Sequence, residues 1–448
     1  MASRTTDSAF VVVTGDPQRG NGERISQVRS HLAKQYHQNS RQKKSRVSET
    51  RKKQAYIRRS YTSQSLPREI HLTLDPSQLF ASATGFQRMQ RFMYHYVYDS
   101  YRLHPFFSTV VYAAVAHAPL MSSKILNASA WDDLNSTGEI SDLSLQQRVI
   151  TRNLLGESLG NPNEGYSDLN IAALIACILF DLVSDDKIAF SRDKQGLQNI
   201  VQCRGGSDHL GFEGHLKNSL LLIKELERVA GIDWHPESML SSIQTTQCQP
   251  LDMRFFAFGR EQDSIFISET LQSFIHLLSD FYQLVILCQQ SFYHPPNSAA
   301  RRHCVAQSKI IHKQLSSTRS SICDNTHSPD DPRIAPLALA GILFSWSTVA
   351  SREASSHEVA HATLELRNLL QQTDLDKFWG LFPGALVWCL VTGSRMSSPG
   401  PVRKWFVMQT TRITCSMAMS CCDDVLQSLQ TILGGLNAAK LLRNGVLI

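Results

Sequence analysis

The chain has 448 residues, 42% of them hydrophobic and 19% charged, with a formal net charge of +6. That apolar fraction supplies a sizeable core and excludes wholesale disorder, and the length holds two or three average domains or one large helical one. The charge is uneven: residues 1–70 carry 15 Lys and Arg against five Asp and Glu, whereas the remaining 378 hold 30 against 34. A basic arm is joined to a slightly acidic body.

The densest part of the arm is residues 24–59, with 12 basic side chains and one acid, Glu49. Serine and glutamine fill the gaps, so the segment cannot bury enough surface to offset its ordering entropy. The expectation is disorder after a short helix near Ile25–Tyr36. Residues 60–85 read as a polar linker punctuated by Pro67, Pro76 and Gly85. Residues 1–85 are thus assigned to arm and linker, and 86–448 to one helical domain.

From Phe86 the pattern changes to helical spacing: Phe86, Met89, Met93, Tyr96 and Val97. Further helices are expected at Phe106–Ala118, Leu143–Leu155, Ser167–Val183, Asp186–Arg204, Glu213–Ala230, Ile265–Gln289, Arg301–Ser316, Ile334–Ala350, His357–Gln371, Leu381–Gly393, Val402–Met417 and Asp423–Leu433. Ser141 and Asp168 stand where N-caps belong, and Gly231 and Gly393 where helices stop. Alternating strand patterns are nearly absent, so the fold class is all-α.

Ten cysteines, the first at Cys177, are too sparse for a disulfide scaffold. No export signal or membrane-length apolar run is found; the longest, Ile171–Phe180, is half a span. The expectation is an intracellular protein with reduced cysteines and no membrane attachment.

Two letter strings invite a catalytic reading. His357-Glu358-Val359-Ala360-His361 matches H-E-x-x-H, which on a helix places two imidazoles one turn apart with Glu358 as general base. A catalytic zinc needs a third protein ligand, and Leu364 and Arg367 occupy the positions where a glycine and a histidine would continue the motif. Glu365 is the last glutamate of the chain, and the nearest carboxylates downstream are Asp374 and Asp376. Gly156-Glu157-Ser158-Leu159-Gly160 matches G-x-S-x-G, yet a helical pattern precedes it where a nucleophile elbow needs a strand. Gly206 and Gly211 are spaced like a phosphate loop, but Phe212 replaces its lysine. Cys415, Cys421 and Cys422 cluster without a C-x-x-C pair and read as buried thiols. No catalytic residue, metal or cofactor is expected.

Several stretches carry a resemblance. Val28-Arg29-Ser30-His31 before the basic run resembles the N-terminal segment of filamentous-fungal regulators. Ile171-Ala172-Ala173-Leu174-Ile175, Gly196-Leu197-Gln198-Asn199-Ile200-Val201, Arg204-Gly205-Gly206 and Leu210-Gly211-Phe212 together resemble the central region of the fungal-specific transcription factor domain family. Phe378–Cys389 and Val402-Arg403-Lys404-Trp405-Phe406 are similar to its C-terminal part. The resemblance implies an all-helical regulatory domain, a nuclear protein and a role in transcription, commonly of a metabolic gene cluster. One departure stands out: such regulators carry a zinc binuclear cluster near the N-terminus, and no cysteine here precedes Cys177.

DNA contact then falls to the arm or to a partner protein. Arg41, Lys43, Lys44, Arg46, Arg51, Lys52, Lys53, Arg58 and Arg59 are the candidates for phosphate binding or nuclear import. The expected partners are DNA, contacted weakly or indirectly, other transcription proteins, and a second copy of the chain as a homodimer. The alternatives are an interaction protein without DNA contact, and a zinc hydrolase using His357, Glu358 and His361.

Overall fold

The structure, a computed structural model, describes residues 110, 113–114, 116–161, 164–232, 272–273, 275–280, 306–307, 309–317, 331–348, 355–376, 378–379 and 382–444. All belong to one unit, Tyr61–Ile448. The basic residues from Arg41 to Arg59, the linker, the helix expected from Phe86, most of Phe106–Ala118 and Ile265–Gln289, and residues 301–305 and 308 lie outside the described residues.

No strand occurs among the described residues. The helices are α1 (Ala118–Ser136), α2 (Asp142–Gly160), α3 (Asp168–Val183), α4 (Lys187–Cys203), α5 (His215–Ala230), α6 (Ile334–Thr348), α7 (Ser356–Gln372), α8 (Pro383–Met396) and α9 (Pro401–Asn444). None of the described helices is long and apolar enough to cross a membrane.

α3 and α8 are apolar on nearly every side, as their sequences require, and lie inside the bundle with almost every residue buried. α9 is the longest element and packs on α8, α5, α6, α3 and α1, while α1 packs on α3 and α2, and α4 on α3. Trp379, Trp388, Trp405, Phe180, Phe190, Phe344 and Phe382 are fully buried and give the core its bulk.

Local signals explain most helix ends. Ser141 caps α2 by accepting the Ser144 amide at 3.2 Å, and Gly231 closes α5 in the left-handed conformation with φ of 66°. Asp186 and Arg204 flank α4 as its caps. Other expectations need correction. The cap of α3 is Ser167, with Asp168 in the first turn, where its charge meets the helix dipole. Ala118 opens α1 instead of ending a helix, with His117 as its cap.

Gly393 does not stop α8, which runs on to Met396. A Cβ there would lie 2.4 Å from the Phe406 ring, so this glycine serves close approach of α9. The two expected C-terminal helices meet where the sequence put their break: Cys421, between Met417 and Asp423, leaves helical geometry (φ −141°, ψ 54°), and the two segments are described together as α9. In its first half, Thr410, Thr411, Thr414 and Ser416 each donate a hydroxyl to the carbonyl four residues back, at 2.7–2.8 Å. Buried hydroxyls therefore stay satisfied inside an apolar contact surface.

α1 was not expected from the sequence. Its buried side includes Ser122, Ser123, Asn127 and Ser129, which blurs any apolar periodicity. Ser123 and Ser129 bond back to carbonyls of their own helix, and Ser122 joins Thr151 and Gln147 of α2.

Candidate functional site

The H-E-x-x-H string forms the first turns of α7, where its glutamate has another use. Ser355 is the N-cap: its hydroxyl accepts the Glu358 amide at 3.2 Å, and the Glu358 carboxylate accepts the Ser355 amide at 2.5 Å. This reciprocal pair is a capping box. It holds the carboxyl of Glu358 below the usual range, with the backbone bond from Ser355 as the main cause. His357 and His361 are exposed, and His361 lies 3.9 Å from Glu365 one turn on. Among the described residues no group of three His, Cys, Asp or Glu side chains could hold a metal ion.

The G-x-S-x-G string is the last turn of α2. Ser158 is helical, not strained, and donates to Asn170 Oδ1 at 2.9 Å. The described cysteines, Cys177, Cys203, Cys389, Cys415, Cys421 and Cys422, are free thiols. Burial pushes Cys415 up to about 12 and Cys422 up to about 11, which removes thiolate character. Lys124 of α1 lies near Cys415 and Cys177, and burial depresses its amine.

The central stretch that carries the family resemblance folds into one knot. Arg204 caps α4 and turns its guanidinium back to Tyr166 O at 2.5 Å, Asp168 Oδ1 at 2.8 Å and His209 O at 3.2 Å. Gly205 and Gly206 take φ of 95° and 103°, as a helix end reversing direction requires. The Gly206 amide bonds back to Val201 O at 2.9 Å. Gly211 makes no left-handed turn of its own, since its φ is −82°. The left-handed residues are Phe212, Glu213 and Gly214. Gly211 is needed for closeness: its amide donates to Asp168 Oδ1 at 3.1 Å, and a Cβ would stand 2.3 Å from Asp168 Oδ2.

The C-terminal stretch Arg403 to Phe406 is likewise consumed by packing. Arg403 donates to Ala230 O at the end of α5, and Lys404 pairs with Glu139 at 2.7 Å. Trp405 donates to Asn135 Oδ1 at 2.8 Å, and Phe406 fills the space beside Gly393. Arg395 of α8 also bonds the α5 terminus, through Arg228 O at 3.2 Å, where the helix dipole favours cations. Burial and the neighbouring Arg403 and Arg228 lower Arg395 to about 10.

The most charged constellation missed from the sequence joins α2, α3 and α4. Arg148 reaches Asp181 and Asp186, each at 2.7 Å. Arg152 reaches Asp181 and Asp193, again at 2.7 Å each, and Arg192 bonds Asp193 at 2.9 Å. Burial pushes the Asp181 carboxyl up to about 7, against the opposing pull of Arg152 and Arg148. Asp181 was legible in one respect, as the lone acid of the apolar run Ile171–Val183, since a buried charge demands a partner. The network offers no nucleophile; it ties α2 to α3 and to the start of α4.

No protein-family model, no curated protein and no solved structure matches the chain significantly.

Proposed function

We propose that the protein is a nuclear transcription regulator of the fungal-specific transcription factor type, with the all-helical body as regulatory domain and DNA contact through the basic arm or a partner protein. The observation that carries this reading is the knot at Arg204. The residues on which the resemblance rests, Arg204-Gly205-Gly206 and Leu210-Gly211-Phe212, are joined to one carboxylate, Asp168, within an all-α body. A motif of this kind serves architecture and carries no reaction, which suits a regulator better than an enzyme.

The arm supplies the other half. Twelve basic residues against one acid over 24–59 neutralise phosphates and release counterions, a contact that by itself carries no base sequence information. Affinity for duplex DNA should therefore be mostly non-specific, with a log–log salt slope of roughly −5 to −9 for about 6–10 phosphates contacted. Replacing Arg41, Lys43, Lys44, Arg46, Arg51, Lys52, Lys53, Arg58 and Arg59 by Ala should abolish it and leave a fluorescent fusion in the cytoplasm. A variant that stays nuclear and binds DNA with the parent's affinity overturns the role of the arm.

A second reading, an interaction protein that does not itself touch DNA, is favoured by the lack of any cysteine before Cys177. Chromatin immunoprecipitation from cells carrying the alanine variant distinguishes the two: occupancy that persists without the arm's charges means recruitment by a partner. The zinc hydrolase reading gains no support from Glu358, whose carboxylate is held at its own helix terminus.

A further inference from the structure

Two guanidinium groups converge on the end of α5. A Cβ on Gly231 would stand 2.3 Å from Arg403 Nη2 and 2.7 Å from Arg395 Nη1, so those two nitrogens lie within 5.0 Å of each other. Arg403 Nη2 donates to Ala230 O, and Arg395 Nη1 donates to Arg228 O at 3.2 Å. The guanidinium of Arg228 starts from the same turn and bonds Glu225 Oε2 at 2.8 Å. One cation at a helix C-terminus answers the dipole there, whereas two brought this close also oppose each other.

Their places in the helices sharpen the conflict. Arg395 lies in the last turn of α8, where the dipole favours a cation. Arg403 lies in the first turn of α9, where the dipole disfavours one, and that turn holds no acid. Burial lowers both arginines from their usual range, and for Arg395 the like charges of Arg403 and Arg228 add to it. The acid that partly offsets this at Arg403 is Asp185, which is exposed in the turn between α3 and α4 with φ of 62°.

We propose that Arg395 and Arg403, braced on the end of α5, form a binding site for a phosphate group, either free or carried by a small metabolite. A phosphate accepts N–H donors from two guanidinium planes at once, the geometry for which arginine is suited. Its charge also cancels the repulsion that the fold sets up between the two side chains. Arg403 has five N–H donors, of which its bond to Ala230 uses one. The pair stands where α5 and α8 end and α9 begins, so a bound phosphate ties three helices together at one junction.

The test titrates the full chain by calorimetry at constant ionic strength, with inorganic phosphate and, separately, with glycerol 3-phosphate. Saturable binding is expected, and the tighter of the two tells the free ion from a phosphate ester. Acetate should bind more weakly than either. Arg403→Gln should weaken phosphate about tenfold, as the loss of a charged donor implies. Asp185→Asn should tighten it, because an opposing charge leaves while asparagine keeps the left-handed backbone. The basic arm is the same in every chain, so differences between them belong to this site. The proposal is overturned if neither phosphate saturates, if acetate binds as tightly, or if a folded Arg403→Gln binds like the parent. Should Arg403→Gln not fold, Asp185→Asn decides: binding no tighter than the parent's overturns the proposal.

Discussion

Asp168 Oδ1 accepts Arg204 Nη2 at 2.8 Å and the Gly211 amide at 3.1 Å, so one carboxylate oxygen joins the start of α3, the end of α4 and the approach to α5. The two donors come from a helix cap and from the loop beyond it, and neither has another carboxylate described beside it. The knot therefore depends on a side chain at Asp168 and on the lack of one at Gly211.

Gly211→Ala should accordingly be among the more damaging single-methyl additions. Its Cβ would stand 2.3 Å from Asp168 Oδ2, and the carboxylate can retreat only by loosening Arg204. A loss of about 1–3 kcal/mol is expected for a buried polar group parted from its partners. Thermal unfolding of Gly211→Ala, Arg204→Ala and the double variant checks this. Additive losses from the two single changes would contradict a shared knot, because coupled neighbours are not additive.

His117 caps α1 with a ring nitrogen, Nδ1, which accepts the Leu120 amide at 3.2 Å. Only an unprotonated Nδ1 can accept. Burial lowers the imidazole to about 4, while a hydrogen bond with Asn170 opposes the shift. Because the folded value lies below the unfolded one near 6.5, the unfolded state takes up the proton first. This contribution is complete above about pH 6.5 and is lost as pH falls toward 4. At pH 5 the loss is about 1–2 kcal/mol. Denaturant midpoints between pH 7 and 5 should fall for the parent and fall less for His117→Asn, which keeps a cap without titrating. Equal slopes for the two proteins would remove His117 as the cause.

For α7, Ser355→Ala should cost about 1 kcal/mol through loss of the cap. His361→Ala should change neither stability nor any reporter output. Purified protein should hold far less than one zinc per chain by elemental analysis. Stoichiometric zinc that disappears with His361→Ala would restore the hydrolase reading.

Gly393→Ala should unfold the body at markedly lower temperature, since its Cβ would meet three atoms of the Phe406 ring at 2.4–2.7 Å. Overfilling a packed contact costs about 1–3 kcal/mol. Phe406→Leu placed in the same chain should recover part of the loss. If the second change deepens it instead, the ring is not what limits the space.

The all-α class and most helix spans were legible because apolar periodicity and caps agree along α3, α4 and α5. α1 was not, because polar residues Ser122, Ser123, Asn127 and Ser129 are buried on it and blur its apolar periodicity. Gly393 misled for a related reason: glycine marks either a turn or a close approach, and only Phe406 decides which. The letters S-x-x-E at Ser355–Glu358 were present beside H-E-x-x-H, and the capping signal was the one the backbone uses. The ion network of Arg148 and Arg152 with Asp181, Asp186 and Asp193 was hidden because its partners lie 29 to 41 residues apart in the chain.

α9 lies against α1, α3, α5, α6, α7 and α8, yet it follows all of them in the chain. During synthesis the earlier helices emerge before the element on which they close, and their apolar sides stay without their main partner until residues 401–444 leave the ribosome. The nascent body should therefore bind chaperones until α9 has been made. A stop codon shortly before Pro401 should yield no stable shorter body, only a chain cleared by proteolysis.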